Sequence, residues 1–181
     1  MASKVSRRRW VKGAVAVALV AAGGVVARVR TSGYGVSDEV RSRLAALAPW
    51  QYVLVQHLAR RICAADRPGV VTPDETDVAG FVDGYVARMA PRMRRDLLRF
   101  FAVVEHVAPA FTGSTSRFTR LDPDAQDRVL AALEAHASTL LRGGFEGVKA
   151  LLFMGYYRDP RTWSALGYDG PLVNRPAGGW W

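Results

Sequence analysis

The sequence is poor in cysteine: Cys63 is the only one. The chain alone therefore cannot close a disulfide framework, and it cannot supply a four-cysteine zinc site or a cysteine-held iron–sulfur cluster. It also lacks a C-x-x-C-H pair for covalent haem, a P-loop, and a G-x-G-x-x-G placed between strand and helix. No convincing strand pattern appears. No run reaches the ~20 apolar residues of a membrane span, and no acidic residue precedes Asp38.

What is present is an ordinary globular balance: 181 residues, 50% hydrophobic, 23% charged and 10% aromatic. That composition excludes collagen-like, disordered and polytopic membrane chains. The net charge of +9 invites a nucleic-acid reading until it is divided. Lys4, Arg7, Arg8, Arg9 and Lys12 lie before residue 28, and the rest of the chain sets 20 bases against 16 acids, an excess of only +4. Over half of the excess is N-terminal, and the body carries no nucleic-acid motif.

Residues 6–12 read Ser-Arg-Arg-Arg-Trp-Val-Lys and are followed by an uncharged run of 15 residues, 13–27, rich in Ala and Gly. A basic segment, a short apolar run and small residues at its end mark an export signal. The heptapeptide resembles the twin-arginine translocation signal, with Arg7 and Arg8 as the pair and Lys12 as the closing base; Trp10 stands where Phe is more usual. Residues 1–27 are thus expected to be a twin-arginine signal, read by the twin-arginine translocase, which moves folded proteins across the cytoplasmic membrane. The mature protein would be periplasmic or otherwise extracytoplasmic.

The body reads as one all-α domain, an irregular bundle of four to five helices over residues 28–157. Ser37 can cap a short helix to about residue 47, with Asp38 and Glu39 favoured by the dipole in its first turn. Pro49 opens a second helix with Trp50, Val53, Leu54, Leu58 and Ile62 on one face, stopped by Asp66-Arg67-Pro68-Gly69. Thr72-Pro73-Asp74-Glu75 is a capping box predicting a helix to about residue 89. Pro91 restarts the chain, and Met93, Leu97, Phe100, Phe101, Val104 and Val107 recur at helical spacing. Asp122-Pro123 begins a helix whose stripe is Leu130, Leu133, Ala137, Leu140 and Leu141, with Gly143-Gly144 as its expected stop. A last helix covers about residues 145–157. Residues 158–181, rich in Pro, Gly and aromatics, are expected to be an extended tail.

No catalytic constellation emerges. His57, His106 and His136 are too widely spaced for a metal motif, and His57 sits beside the apolar stripe of its helix. Asp74, Glu75 and Asp77 occupy a helix start, where the dipole explains two of them. Arg92, Arg94, Arg95 and Arg99 cover the polar side of a helix, a solvated or partner-facing surface rather than a phosphate track. Cys63 is a lone thiol, available for an intermolecular disulfide unless buried; its apolar helix face favours burial. No catalytic, cofactor-binding or metal-binding residue is expected on this chain.

The C-terminal third is distinctive. Residues 150–157 carry no charge, and a helix apolar all round must be covered on every side. Beyond it Trp163, Tyr168, Trp180 and Trp181 stand among Pro160, Pro171, Pro176 and glycines. Trp and Tyr are the types enriched where one protein anchors on another. Phe153, Tyr156, Tyr157, Trp163 and Tyr168 are therefore the candidate partner interface, with wrapping of the tail onto its own bundle as the alternative.

Phe145-Glu146-Gly147-Val148-Lys149-Ala150-Leu151, Gly155-Tyr156-Tyr157, Asp159-Pro160, Trp163 and Leu166-Gly167-Tyr168-Asp169-Gly170-Pro171 resemble the C-terminal signature of the gluconate 2-dehydrogenase subunit 3 family. The resemblance is strongest over residues 121–171 and extends back to about residue 49. It implies a small, noncatalytic subunit without a redox centre, bound to a large FAD-dependent dehydrogenase of the glucose–methanol–choline type. FAD would lie on that partner, a cytochrome c subunit could take the electrons onward, and the leader of the small subunit would carry the folded flavoprotein through export. The residues themselves leave a second reading open, a free-standing exported helical binding protein with no oxidoreductase partner.

Overall fold

A computed structural model describes residues 34–63, 69–168 and 170. The arginine pair Arg7 and Arg8 with Lys12, the turn residues Asp66 to Pro68, and the terminal Trp180 and Trp181 lie outside the described residues. Among the described residues all regular structure is helical, as the periodicity implies. The α-helices are α1 (Asp38–Arg43), α2 (Pro49–Ile62), α3 (Val78–Arg88), α4 (Pro91–His106), α5 (Pro123–Glu134) and α6 (Thr139–Tyr157), joined by 3-10 turns at Ala108–Thr112 and Phe118–Arg120 and followed by two more at Pro160–Thr162 and Ser164–Leu166. That is six α-helices where four to five were expected.

The starts follow local chemistry. Ser37 accepts the Val40 N–H at 3.3 Å and Asp122 accepts the Ala125 N–H at 2.8 Å, each satisfying an orphan donor of a first turn. Pro49, Pro91 and Pro123 occupy first-turn positions, where the missing N–H costs nothing. The capping box forms as expected, with Glu75 accepting the Thr72 N–H at 2.7 Å and Thr72 Oγ1 accepting the Glu75 N–H at 3.2 Å. It closes only a turn, however. Asp77 then takes a left-handed conformation (φ 49°) and caps α3 afresh by accepting the Gly80 N–H at 3.1 Å.

The larger departure is at Gly143-Gly144. The helix begun at Pro123 stops nine residues earlier than that pair, at Glu134. There the guanidinium of Arg142 reaches back to donate to the carbonyls of His136 and Ala137, and His136 Nδ1 accepts the Ser138 N–H at 3.0 Å. Backbone groups of the link between α5 and α6 are thereby satisfied without glycine. Gly143 and Gly144 then lie inside α6, and Leu140, expected on an apolar stripe, is exposed. A Cβ on Gly144 would meet the Phe100 ring at 2.6 Å, and one on Gly155 would meet Phe81 at 2.9 Å and Val78 at 3.1 Å. Gly144 thus gives the Phe100 ring of α4 room against the α6 backbone, and Gly155 lets α6 lie close against α3.

The core joins Leu54, Val55 and Leu58 of α2, Val78, Val82 and Val86 of α3, Phe101 and Val104 of α4, Val129 and Leu133 of α5, and Phe145, Val148 and Leu152 of α6. Each such side chain contributes about 1.5–3 kcal/mol by leaving water. Polar ties lock the connections. The buried carboxylate of Asp83 accepts the backbone N–H groups of Ala45, Ala46 and Leu47 at 2.7, 2.9 and 2.7 Å, holding the α1–α2 link against α3. Glu105, fully buried, accepts the Thr119 hydroxyl at 2.7 Å and its N–H at 3.2 Å, with Arg117 Nε at 3.7 Å. Gln126 donates from its amide nitrogen to the Phe118 carbonyl at 3.1 Å and to His57 Nδ1 at 3.0 Å.

Residues 158–168 are not extended. Arg158 donates to the Thr76 carbonyl at 3.2 Å and Arg161 to the Glu75 carbonyl at 3.1 Å, while Asp159 caps its own turn by accepting the Arg161 N–H at 2.9 Å. The Arg161 guanidinium holds the Asp159 carboxyl down at about 2. The segment folds back on the capping-box turn because those carbonyls need donors.

Two stability outcomes follow. Asp83→Ala strands three N–H groups at about 1–3 kcal/mol each where they stay dry, so urea unfolding should show a loss of at least ~3 kcal/mol; a loss below ~1 kcal/mol would contradict the role assigned to this carboxylate. At Gly143 a Cβ meets open space, so Gly143→Ala should stabilise by roughly 0.5–1 kcal/mol through helix propensity. Gly155→Ala should destabilise instead, and equal gains at both sites would remove the close-approach argument.

Candidate partner-docking surface

Helix α6 cannot hide its circumference. Leu151, Leu152, Gly155 and Tyr156 face the core, whereas Phe153 and Met154, on the opposite arc, remain 36% and 49% exposed. Tyr156, expected at an interface, is only 2% exposed, and its hydroxyl donates to the Val71 carbonyl at 2.6 Å. It is a core residue, because its position four residues beyond Leu152, itself four beyond Val148, places it on their buried face. The other candidates cluster. Phe153 stacks on Tyr157 with ring centroids 5.9 Å apart, and Trp163 meets Tyr168 edge-on at 5.3 Å. Trp163 is half-buried and donates its Nε1 proton to the Tyr157 carbonyl at 2.8 Å, which fastens the second aromatic pair to the end of α6. Tyr168 is 44% exposed. The result is an aromatic ridge running off the helix end.

A second apolar feature was not evident from the sequence. Helices α3, α4 and α6 border a groove of about 610 Å³ lined by Met89, Met93, Leu97, Phe100, Leu140 and Met154, among others. Met93 and Leu140 on its edges are 61% and 81% exposed. The signal lay in α4, where Met93, Leu97 and Phe100 extend the apolar stripe outward past the buried Phe101 and Val104. Helical spacing identifies the stripe but not how much of it a neighbouring helix covers. Beside it, Arg92, Arg95 and Arg99 fall at i, i+3 and i+7 on the same helix.

The titratable groups are engaged in structure. Asp74 pairs with Arg60 at 2.7 Å, Glu75 with Thr72, and Asp77 with the start of α3. Arg61 pairs with Asp127 and Lys149 with Glu134, tying α5 to α2 and α6. Among the described residues no three His, Cys, Asp or Glu side chains gather where they could hold a metal, and no helix is long and apolar enough to cross a membrane. Cys63 is buried, and that burial pushes its thiol up to about 12. A thiolate is the attacking species in disulfide exchange, so an intermolecular disulfide would require the α2 terminus to open. His106 lies 5.7 Å from the Trp50 ring and His136 4.8 Å from Phe111, centroid to centroid.

Burial, then the neighbouring Arg60 charge, lowers the pKa of His57, whose Nδ1 accepts from Gln126 and so must be unprotonated. The unfolded imidazole titrates near ~6.5 and binds more protons than the folded one just below that pH. Stability is therefore full above ~6.5 and is lost as pH falls through the depressed folded value. Melting curves between pH 7 and 5 should show this decline, and His57→Gln should flatten it; an unchanged pH slope would exclude His57 as its source.

Comparison with curated proteins and with solved structures finds no match. The family model of gluconate 2-dehydrogenase subunit 3 does match, over residues 49–170, a stretch that takes in α2 to α6, the groove and the aromatic ridge. An all-helical body with unfilled apolar surface, matched over two-thirds of its length, belongs to the gluconate 2-dehydrogenase subunit 3 family.

Proposed function

We propose that this chain is a noncatalytic small subunit that stabilises a folded FAD-dependent dehydrogenase of the glucose–methanol–choline type and escorts it through twin-arginine export. Membership in a family of dehydrogenase subunits supports an assembly role. The observation that carries the reading is the aromatic ridge of Phe153, Tyr157, Trp163 and Tyr168, built on a helix whose other face is already the core. Large, rigid aromatics held in place before binding lose little entropy on docking. FAD and the substrate pocket then belong to the large subunit, a cytochrome c subunit can receive the electrons, and the complex works outside the cytoplasmic membrane. Arg7, Arg8 and Lys12 supply the address for both chains. Binding the folded state of the flavoprotein alone stabilises it by mass action.

Co-expression of the flavoprotein with and without this chain tests the role. Yield, flavin content and export of the large subunit should all fall when the chain is omitted; equal values in both conditions would refute it. Arg7→Lys with Arg8→Lys should leave both proteins in the cytoplasm, and continued export of the flavoprotein would contradict escort. Phe153→Ser with Tyr168→Ser, both at exposed positions, should weaken the complex at least tenfold, about 1.4 kcal/mol, with little change in the melting temperature of this chain. Undiminished affinity would move the interface elsewhere.

A further inference from the structure

The groove between α3, α4 and α6 is separate in lining from the aromatic ridge except where Phe153 and Met154 adjoin on α6. Its floor is recessed: Leu97 and Phe100 are half-buried and Leu151 is buried, while Met93 and Leu140 stand up at the edges. A lipid surface is engaged by side chains that protrude, so recessed walls of this kind call for an occupant that projects into them. Three methionines, Met89, Met93 and Met154, line it. Their unbranched thioethers repack around a helical ligand at little cost.

Of the charged side chains on α4, Asp96 and Arg99 line the groove itself, and the flank of the helix beyond them is basic. Arg92, Arg95 and Arg99 stripe α4 along its flank, and Arg94 adds a fourth guanidinium. Asp96 is the one exposed acid on this helix, and it lies 3.6 Å from Arg99. Arg92, Arg94 and Arg95 form no ion pair among the described residues. A shallower depression lined by Leu98, Ala102 and Arg95 lies on the far side of the stripe and shares Met89 and Arg99 with the groove. An apolar channel flanked by the unpaired guanidinium groups of Arg92 and Arg95 is complementary to an amphipathic helix that carries its acids along one edge.

We infer that this groove receives an amphipathic helix of the large flavoprotein subunit, its apolar face seated between α4 and α6 and its acidic edge against Arg92, Arg95 and Arg99. The inference rests on the proposed dehydrogenase partner and adds a second contact of defined chemistry to the aromatic ridge. The two contacts lie on neighbouring arcs of α6, so one partner could span both. Apolar burial then supplies most of the affinity, and the arginine stripe sets orientation and association rate, which salt screens.

The test uses the co-purified complex of the full chain with its flavoprotein. A photocrosslinking residue is placed at Met93 or Leu140, both exposed and outside the core, with Ala110 as a control on the 3-10 turn Ala108–Thr112. The expected product is an adduct from positions 93 and 140, but not 110, to one helical segment of the flavoprotein bearing Asp or Glu. Arg92→Glu with Arg95→Glu should slow association at least tenfold at low salt, with the difference shrinking as salt rises. Co-purification without any adduct at 93 or 140 overturns the groove while leaving the subunit role intact. Adducts only to lipid, or only within this chain, overturn it equally. An adduct to a segment lacking acids, or a double variant with unchanged association kinetics, removes the charge pairing and with it the proposed occupant. Failure to co-purify at all overturns the dehydrogenase partner itself, and is read before any crosslink is attempted.

Discussion

Helix α6 has to be core and surface at once. Its nineteen residues include Phe145, Val148, Leu151, Leu152 and Tyr156 on the inward face, and that face holds the bundle together. The stretch from Ala150 to Tyr157 is uncharged, so the outward arc is apolar as well. A domain of this size has enough neighbouring helices to cover one side only. Everything distinctive about the surface follows from that shortage: Phe153 and Met154 stay exposed, the aromatic ridge grows from the helix end, and the groove opens between α6 and α4.

The close seating of α6 depends on what is missing from two positions. Gly144 admits the Phe100 ring and Gly155 admits Phe81 and Val78, at separations that a methyl group would close. Phe100 is also a wall of the groove, so the glycine that allows packing helps shape the surface beside it. Elsewhere buried carboxylates that each accept several hydrogen bonds hold the fold. Asp83 collects three backbone donors and Glu105 holds Thr119, so links without regular structure are tied to the helices they join. Buried carboxylates would be costly if unpaired, and here they serve architecture.

The division of labour in an assembly gives these features a common sense. The proposed accessory role would call for rigid shape, apolar contact area and charges that orient a partner. In that role the aromatic ridge and the methionine-lined groove would provide the area, and the arginine stripe the direction. The titratable groups are occupied elsewhere: Asp74, Asp77, Asp127 and Glu134 in caps and ion pairs, and Cys63 by burial that suppresses its thiolate.

Much of this was legible before any coordinates. Helical periodicity, proline at helix starts and the capping residues Ser37 and Asp122 depend on neighbours within four positions, so the chain itself determines them. So did the helical class, the burial of Cys63 on an apolar face, and the family resemblance over residues 121–171. The misplaced features depended on contacts that local pattern does not rank, some of them distant in sequence. Gly143-Gly144 looks like a helix stop until Phe100 is brought against it. Thr72 to Glu75 looks like a helix start until Asp77 breaks the turn, and Tyr156 looks like a free anchor until Val71 accepts its hydroxyl 85 residues away in sequence. Local pattern states which residues are apolar; only tertiary packing decides which of them find cover, because the supply of covering surface is a property of the whole fold. The bare arc of α6 and the groove beside it are the remainder of that sum.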